Sequence, residues 1–295
     1  MDTLILKGKP VSIKIKENLV AKISKLKSAG IIPCLAAIII GKNPASKLYV
    51  SSKAKTFKSL NCLSETFEFP SDIRKNILIN HIEELNINKK FHGILVQLPL
   101  PKHLDEKEIL ERIIPEKDVD GFHPQNQGYI MQGIPKFIPC TPLGCLEILK
   151  YYKIDTKGKH VVVVGRSNIV GKPIAALLAQ NFNYANATVT LCHTKTENLS
   201  YFTTKADLII VAVGVPNLIG PNMVKKGVHI IDVGINRIED LSKEKGYRVV
   251  GDVDFEKMLN KAASITPVPG GVGIMTVTML LNNTVQAAIN QTNKE

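Results

Sequence analysis

Four consecutive valines, Val161 to Val164, followed at once by Gly165, constrain this 295-residue chain more than any other feature of it. A run of β-branched, wholly apolar side chains suits a strand covered on both faces, as in a parallel sheet flanked by helices. Gly165 ends the run. From Ile169 the apolar spacing turns helical, with Pro173 acceptable in a first turn and Ile174, Ala175, Leu177 and Leu178 behind it. In such a strand, turn and helix, unpaired backbone N–H groups and the positive end of the helix dipole converge on one spot, which favours a phosphate. The spacing is irregular, because five residues separate Gly165 from Gly171 and Arg166-Ser167 stands where a G-x-G-x-x-G fingerprint has its second glycine. A buried strand that meets a helix and binds nothing fits the same local pattern.

The length accommodates two domains, and 44% hydrophobic residues supply cores for both, which excludes disorder as a description of the whole chain. The formal charge of +12 favours anionic partners. The lysines are spread without a basic block or interleaved aromatics, so the excess reads as solvated surface biased toward small anions, and a nucleic acid partner is not expected. No uninterrupted apolar run reaches the length of a membrane span and the first residues lack a signal-peptide core, so a cytoplasmic protein without membrane association is expected. Cys34, Cys62, Cys140, Cys145 and Cys192 form no C-x-x-C pair, which suits reduced thiols, and the seven histidines show no metal-ligand spacing, so no metal is expected.

Along the chain, Lys14 to Ala29 carries Ile15, Leu19, Ile23 and Leu26 at helical spacing, and Gly30 is placed to end that helix. Cys34 to Ile40 reads as a buried strand, stopped by Gly41-Lys-Asn-Pro44. The next helix starts near Ala45 or Ser46, and on it Tyr49 and Lys53, four apart, share a face. An ordinary helix surface would show the same pair. After a polar helix over 71–85, Gln97 stands at the end of the apolar stretch from His92, where parallel sheets present ligand-binding groups. Asp118 and Asp120 lie in a loop rich in acids, proline and glycine; turn formation explains them as readily as function does. Pro139 opens a helix ending near Tyr152, in which the domain junction is expected.

The second half reads as a separate α/β unit. Ala187 to Cys192 makes its second strand, and the position where an NAD-binding fold carries an acid for the ribose holds His193, Thr194 and Lys195 instead. Hydrogen-bond donors there, with Arg166 from the turn, suit a 2′-phosphate, so NADP is expected over NAD. Further buried strands are read at 207–213 and 228–233. Thr266 to Thr276, with two prolines and three glycines, reads as a backbone shaped for close approach or as a crossover loop, and 276–290 as an amphipathic helix.

Seven segments in fixed order resemble one family, the bifunctional methylenetetrahydrofolate dehydrogenase/methenyltetrahydrofolate cyclohydrolases: Gly41-Lys-Asn-Pro-Ala-Ser-Lys-Leu-Tyr-Val-Ser-Ser-Lys53, Gly93-Ile-Leu-Val-Gln-Leu-Pro-Leu-Pro101, Lys117-Asp-Val-Asp-Gly-Phe122, Pro139-Cys-Thr-Pro-Leu-Gly144, Val164-Gly-Arg-Ser-Asn-Ile-Val-Gly171, Gly251-Asp-Val-Asp254 and Pro267-Val-Pro-Gly-Gly-Val-Gly273. The last departs from the family pattern, in which proline usually stands where this chain has Ile274. The resemblance implies an α/β fold of two domains with a cleft between them: a folate domain over 1–145, rejoined by a C-terminal helix over 276–295, and a Rossmann-like NADP domain over 146–275. It implies a homodimer acting on one-carbon derivatives of tetrahydrofolate, in one-carbon metabolism that feeds purine biosynthesis. Residue by residue, it implies Lys53 as the catalytic residue of the cyclohydrolase step with Gln97 as its hydrogen-bonding partner. Tyr49 is implied as a platform for the aminobenzoyl ring, Asp120 as the pterin anchor, and Val96, Leu98, Pro269, Gly270, Gly271, Val272 and Gly273 as folate contacts. Gly165, Arg166, Ser167, Thr194 and Ile235 are the implied cofactor positions.

Overall fold

The computed structural model describes residues 2–42, 44–244 and 246–292, with the backbone alone for 44–49. In chain order the strands are β1 (Leu4–Ile5), β2 (Cys34–Ile40), β3 (Leu63–Phe69), β4 (Gly93–Val96), β5 (His160–Val164), β6 (Thr188–Cys192), β7 (Leu208–Val211), β8 (His229–Asp232), β9 (Asn236–Glu239), β10 (Tyr247–Val250) and β11 (Ser264–Ile265). The helices are α1 (Gly8–Ser28), α2 (Pro44–Ser59), α3 (Lys75–Ile87), α4 (Glu106–Leu110), α5 (Pro124–Met131), α6 (Cys140–Tyr151), α7 (Gly171–Leu178), α8 (Leu199–Thr203), α9 (Phe255–Met258) and α10 (Val272–Thr292). The chain forms two compact units, one of Lys14–Tyr129, Pro135–Cys140 and Val277–Glu295, the other of Met1–Ile13, Ile130–Ile134 and Thr141–Thr276.

The first unit is built on a three-stranded parallel sheet in the order β3-β2-β4. All seven residues of β2 are buried, as a central strand covered on both faces requires. Its side chains pack with Leu78, Ile82 and Leu85 from α3, with Phe91, Ile94 and Val96, and with Ile109 and Ile113. Strand β3 has no clear signature in the sequence because it is an edge, where the exposed Thr66 and Glu68 alternate with the inward-packed Phe67 and Phe69. From α10, Asn283 Nδ2 donates to the carbonyls of Val119 at 2.9 Å and Ile138 at 3.0 Å, which ties the helix to the loop carrying Asp120.

The second unit carries a six-stranded parallel sheet in the order β1-β11-β8-β7-β5-β6, with a separate antiparallel hairpin of β9 and β10. Val161 to Val164 are all buried, as their sequence demands. Strand β5 has β6 on one side and β7 on the other, so the order reverses at β5, the switch point at whose carboxyl ends open α/β sheets bind ligands. The unit begins at the chain's own start, and not only near residue 146 as the sequence suggests, because Leu4 and Ile5 pair in register with Ser264 and Ile265.

Helix α10 starts at Val272, four residues before the expected Thr276, so the second half of the glycine-rich segment is a first helical turn. Ile274 sits in that turn, 38% exposed. A first helical turn accommodates proline as readily as isoleucine, and α10 runs unbroken through Ile274. By length and composition α10 is long and apolar enough to cross a membrane, but 67% of its apolar stretch is buried inside the protein.

Candidate functional site

Lys53 lies on α2, six residues before its end, and is only 4% exposed. Its Nζ donates to Oε1 of Gln97 at 3.0 Å. Gln97 follows β4 directly; its backbone N–H extends the ladder to the carbonyl of Ile38 at 2.9 Å, and its Nε2 donates to the carbonyl of Leu98 at 2.8 Å. The amide is therefore oriented by its own neighbour, and its oxygen is the end presented to the lysine. The following Leu98–Pro99 peptide is cis.

Asp120 and Cys140 complete the cluster. Burial lowers the Lys53 pKa, against the opposing charge of Asp120, which favours the ammonium. Burial raises that of Asp120, against the pull of Lys53 and of a hydrogen bond with Cys140. The thiol of Cys140 is pushed well up, first by burial and then by the charge of Asp120, so it acts as a neutral donor and not as a thiolate nucleophile. Its Sγ lies 3.5 Å from the carbonyl of Val119. A lysine whose pKa is lowered beside a carboxyl group whose pKa is raised is an arrangement able to transfer protons.

Of the two acids the sequence left open, Asp118 is the turn former. Its carboxylate accepts from the N–H groups of Phe122 at 3.1 Å and His123 at 2.8 Å and from Asn126 Nδ2 at 2.8 Å. Those bonds shape the loop that delivers Asp120. Sequence reasoning assigned no role to Cys140, Asn126 or Asn283; the Pro139-Cys-Thr-Pro segment was the available signal for the first. The side chain of Tyr49 lies outside the described residues.

The second cluster lies along the carboxyl edge of the larger sheet. Gly165 has φ +121°, and a Cβ there would sit 2.2 Å from the carbonyl oxygen of Ala212; one on Gly171 would sit 1.9 Å from the carbonyl oxygen of Gly165. Both glycines are thus demanded by the close approach of the β5 turn to β7 and to its own helix. The helix N-terminus corrects the expectation of free N–H groups. Ser167 Oγ accepts from Val170 at 3.1 Å and Gly171 at 3.4 Å, and the Ser167 carbonyl accepts from Lys172 at 3.0 Å. The one residue by which this turn exceeds the usual spacing lets Ser167 fold back as a cap, and Arg166 beside it is left exposed.

The parallel register sets Val164 beside Cys192, and Gly165 N–H donates to the Cys192 carbonyl at 2.9 Å. Arg166 and Thr194 consequently leave adjacent strand ends, each two residues beyond the paired position, and both are exposed. The His193–Thr196 turn is closed by bonds from His193 N–H to Thr196 Oγ1 at 2.8 Å and from Lys195 N–H to His193 Nδ1 at 3.1 Å. Ile235, 61% exposed, follows β8 on the same edge. The Pro269–Gly271 turn, entered through a cis Val268–Pro269 peptide, packs on the start of α1, where Gly8 N–H donates to the Gly270 carbonyl at 2.8 Å. Among the described residues no group of three or more His, Cys, Asp or Glu could hold a metal ion.

Comparison with known proteins agrees with this two-part geometry. Residues 6–120 match the family model for the tetrahydrofolate dehydrogenase/cyclohydrolase catalytic domain. Residues 139–292 match that for the tetrahydrofolate dehydrogenase/cyclohydrolase NAD(P)-binding domain. The bifunctional protein FolD of Nautilia profundicola is 53% identical over 286 residues, which cover 97% of each chain. The crystal structure of the bifunctional FolD methylenetetrahydrofolate dehydrogenase/cyclohydrolase from Campylobacter jejuni superposes with a TM-score of 0.92 at 52% identity, covering 98% of this chain and 99% of that one. The Trypanosoma brucei enzyme, solved with NADP and an inhibitor, gives a TM-score of 0.93 at 36% identity, covering 99% of both chains.

Proposed function

This chain belongs to the tetrahydrofolate dehydrogenase/cyclohydrolase family, and from that premise we propose that it is a bifunctional one-carbon enzyme. It oxidises 5,10-methylenetetrahydrofolate to 5,10-methenyltetrahydrofolate with NADP and hydrolyses the product to 10-formyltetrahydrofolate. The observation that carries this reading is the buried Lys53 bonded to Gln97 beside Asp120, all within the segment matched by the catalytic-domain model.

The turn at Gly165 fits a dinucleotide: a side chain there is sterically excluded, and Arg166 and Thr194 offer donors for a 2′-phosphate where an NAD site would place an acid. When bound, NADP supplies the hydride acceptor. The bridging nitrogens of the substrate stabilise the cation left behind, so the protein contributes orientation to this step and needs no base. Hydration is more demanding, because water must lose a proton as it attacks and the departing nitrogen must gain one as the ring opens. Neutral Lys53 takes the first proton and, as the ammonium, returns one to the nitrogen, with Gln97 holding the amine in place. Asp120 orients the pterin by accepting from its amino and ring N–H groups.

Tyr49, Val96, Leu98 and Pro269 to Gly273 are proposed folate contacts on the family resemblance alone, as are the homodimer, the cytoplasmic location and the supply of one-carbon units to purine biosynthesis. Absorbance measurements of NADPH and methenyltetrahydrofolate formation from methylenetetrahydrofolate and NADP, followed by decay of the methenyl signal, test the central reading. Absence of both signals from folded protein would refute it.

A further inference from the structure

Two carboxylates, Asp232 at 3% and Asp252 at 0% exposure, lie buried in the larger unit. Asp232 Oδ1 accepts from the N–H groups of Gly234 and Asp252, each at 3.0 Å, and its Oδ2 from Val253 at 2.9 Å. Asp252 Oδ2 accepts from Val213 at 2.7 Å and Gly214 at 3.0 Å, and its Oδ1 from Asn236 Nδ2 at 2.8 Å. The backbone is cut to fit them. A Cβ on Gly234 would lie 2.2 Å from Asp252 Oδ1, and one on Gly251 would lie 1.8 Å from Asp232 Oδ2.

Burying two like charges is costly, and apolar side chains would fill the same space more cheaply. Burial, with the charge of Asp252 adding to it, pushes Asp232 up to about 7. What the pair provides is direction. Val213 and Gly214 form the loop after β7, beside the point where the strand order reverses, and Gly165 packs against Ala212 and Val213. Asn236 immediately follows Ile235 and opens β9, so it closes the loop after β8.

We propose that Asp252 is a positioning residue for the dinucleotide site, its carboxylate joining the loop after β7 to the loop after β8 so that both are held ready for NADP. This rests on the NADP reading above and deepens it by assigning a role to the Gly251-Asp-Val-Asp254 motif.

The test is direct binding of NADP by calorimetry to the full-length chain, with amide hydrogen exchange on the unliganded protein and circular dichroism to establish folding. Asp252→Ala removes all three acceptor contacts; NADP affinity should fall about tenfold or more, roughly the loss of one to two hydrogen bonds. Exchange at residues 212–215 and 234–236 should rise while that of β5 and β7 stays slow. Asp252→Asn should recover most of the affinity, because both loop N–H groups converge on one oxygen, which the amide can supply, and Asn236 can turn its amide over to meet the other end.

Wild-type affinity in folded Asp252→Ala, or a loss that Asp252→Asn does not repair, would overturn the proposal. If Asp252→Ala does not fold, Asn236→Ala takes its place: it frees the β8 loop alone and should weaken NADP about threefold, and unchanged binding would be the refutation. Failure of the wild-type protein to bind NADP would instead refute the cofactor reading itself.

Discussion

Lys53 Nζ and Gln97 Oε1, 44 residues apart in sequence, meet at 3.0 Å. The bond joins a helix to the end of a neighbouring strand and points a buried amine at a fixed acceptor. Because the Gln97 amide is held by the Leu98 carbonyl, it orients the lysine without competing for its proton as a carboxylate would. Burial lowers the pKa of the amine and so favours the neutral form, which is the state a general base requires.

Lys53→Met keeps the length and apolar stem of the side chain and removes the amine. Cyclohydrolase turnover should fall by about 100-fold or more, the usual scale of lost acid–base catalysis, whereas dehydrogenase turnover should stay within about tenfold. Separate assays of NADPH formation and methenyl hydrolysis check this, and full cyclohydrolase activity would remove Lys53 from the mechanism.

The pH profile carries a sign. The working base is the neutral amine, so cyclohydrolase activity should rise with pH through the Lys53 pKa, at lower pH than the ordinary lysine value of 10.5. Gln97→Glu sets an anion beside the amine, stabilises the ammonium and moves that limb to higher pH, by about one unit or more. An unmoved limb in Gln97→Glu would contradict the assignment of Lys53 as the group titrating.

Gly165→Ala should be among the most damaging single changes in the larger unit. The added methyl would sit 2.2 Å from the Ala212 carbonyl oxygen at a φ of +121°, so the turn must distort. A loss of about 2–4 kcal/mol in urea unfolding, together with loss of NADP binding, is expected. A variant as stable as wild type would show that the turn has another conformation available.

Arg166→Ala tests cofactor choice. A guanidinium that pairs with the 2′-phosphate contributes nothing equivalent toward NAD, so the KM for NADP should rise about tenfold while that for NAD changes little. Equal effects on both cofactors would place Arg166 elsewhere in recognition.

Much of this molecule was legible in the order of its residues. The valines of β5, the apolar run of β2 and the periodicity of α1 announce their elements because a side chain's burial repeats with the geometry of its own strand or helix. The seven family segments carry Lys53, Gln97 and Asp120 in their residues alone. Strand β3 escaped because an edge strand needs only half its residues apolar. The cap by Ser167 escaped because the same residues would have served a turn with open amides.

Tertiary structure alone decided which of two neighbouring acids serves the turn and which faces the lysine. Asp118 and Asp120 stand on the same short loop and are indistinguishable by composition; the first finds the N–H groups of its own loop, the second finds Lys53 and Cys140. It also decided that Lys53 is buried, which sets its acidity, and that Asp252 spans two loops. Local propensity is a property of neighbours in sequence, whereas a pKa or a clamp between loops depends on groups brought together from far apart, and only the folded chain supplies those.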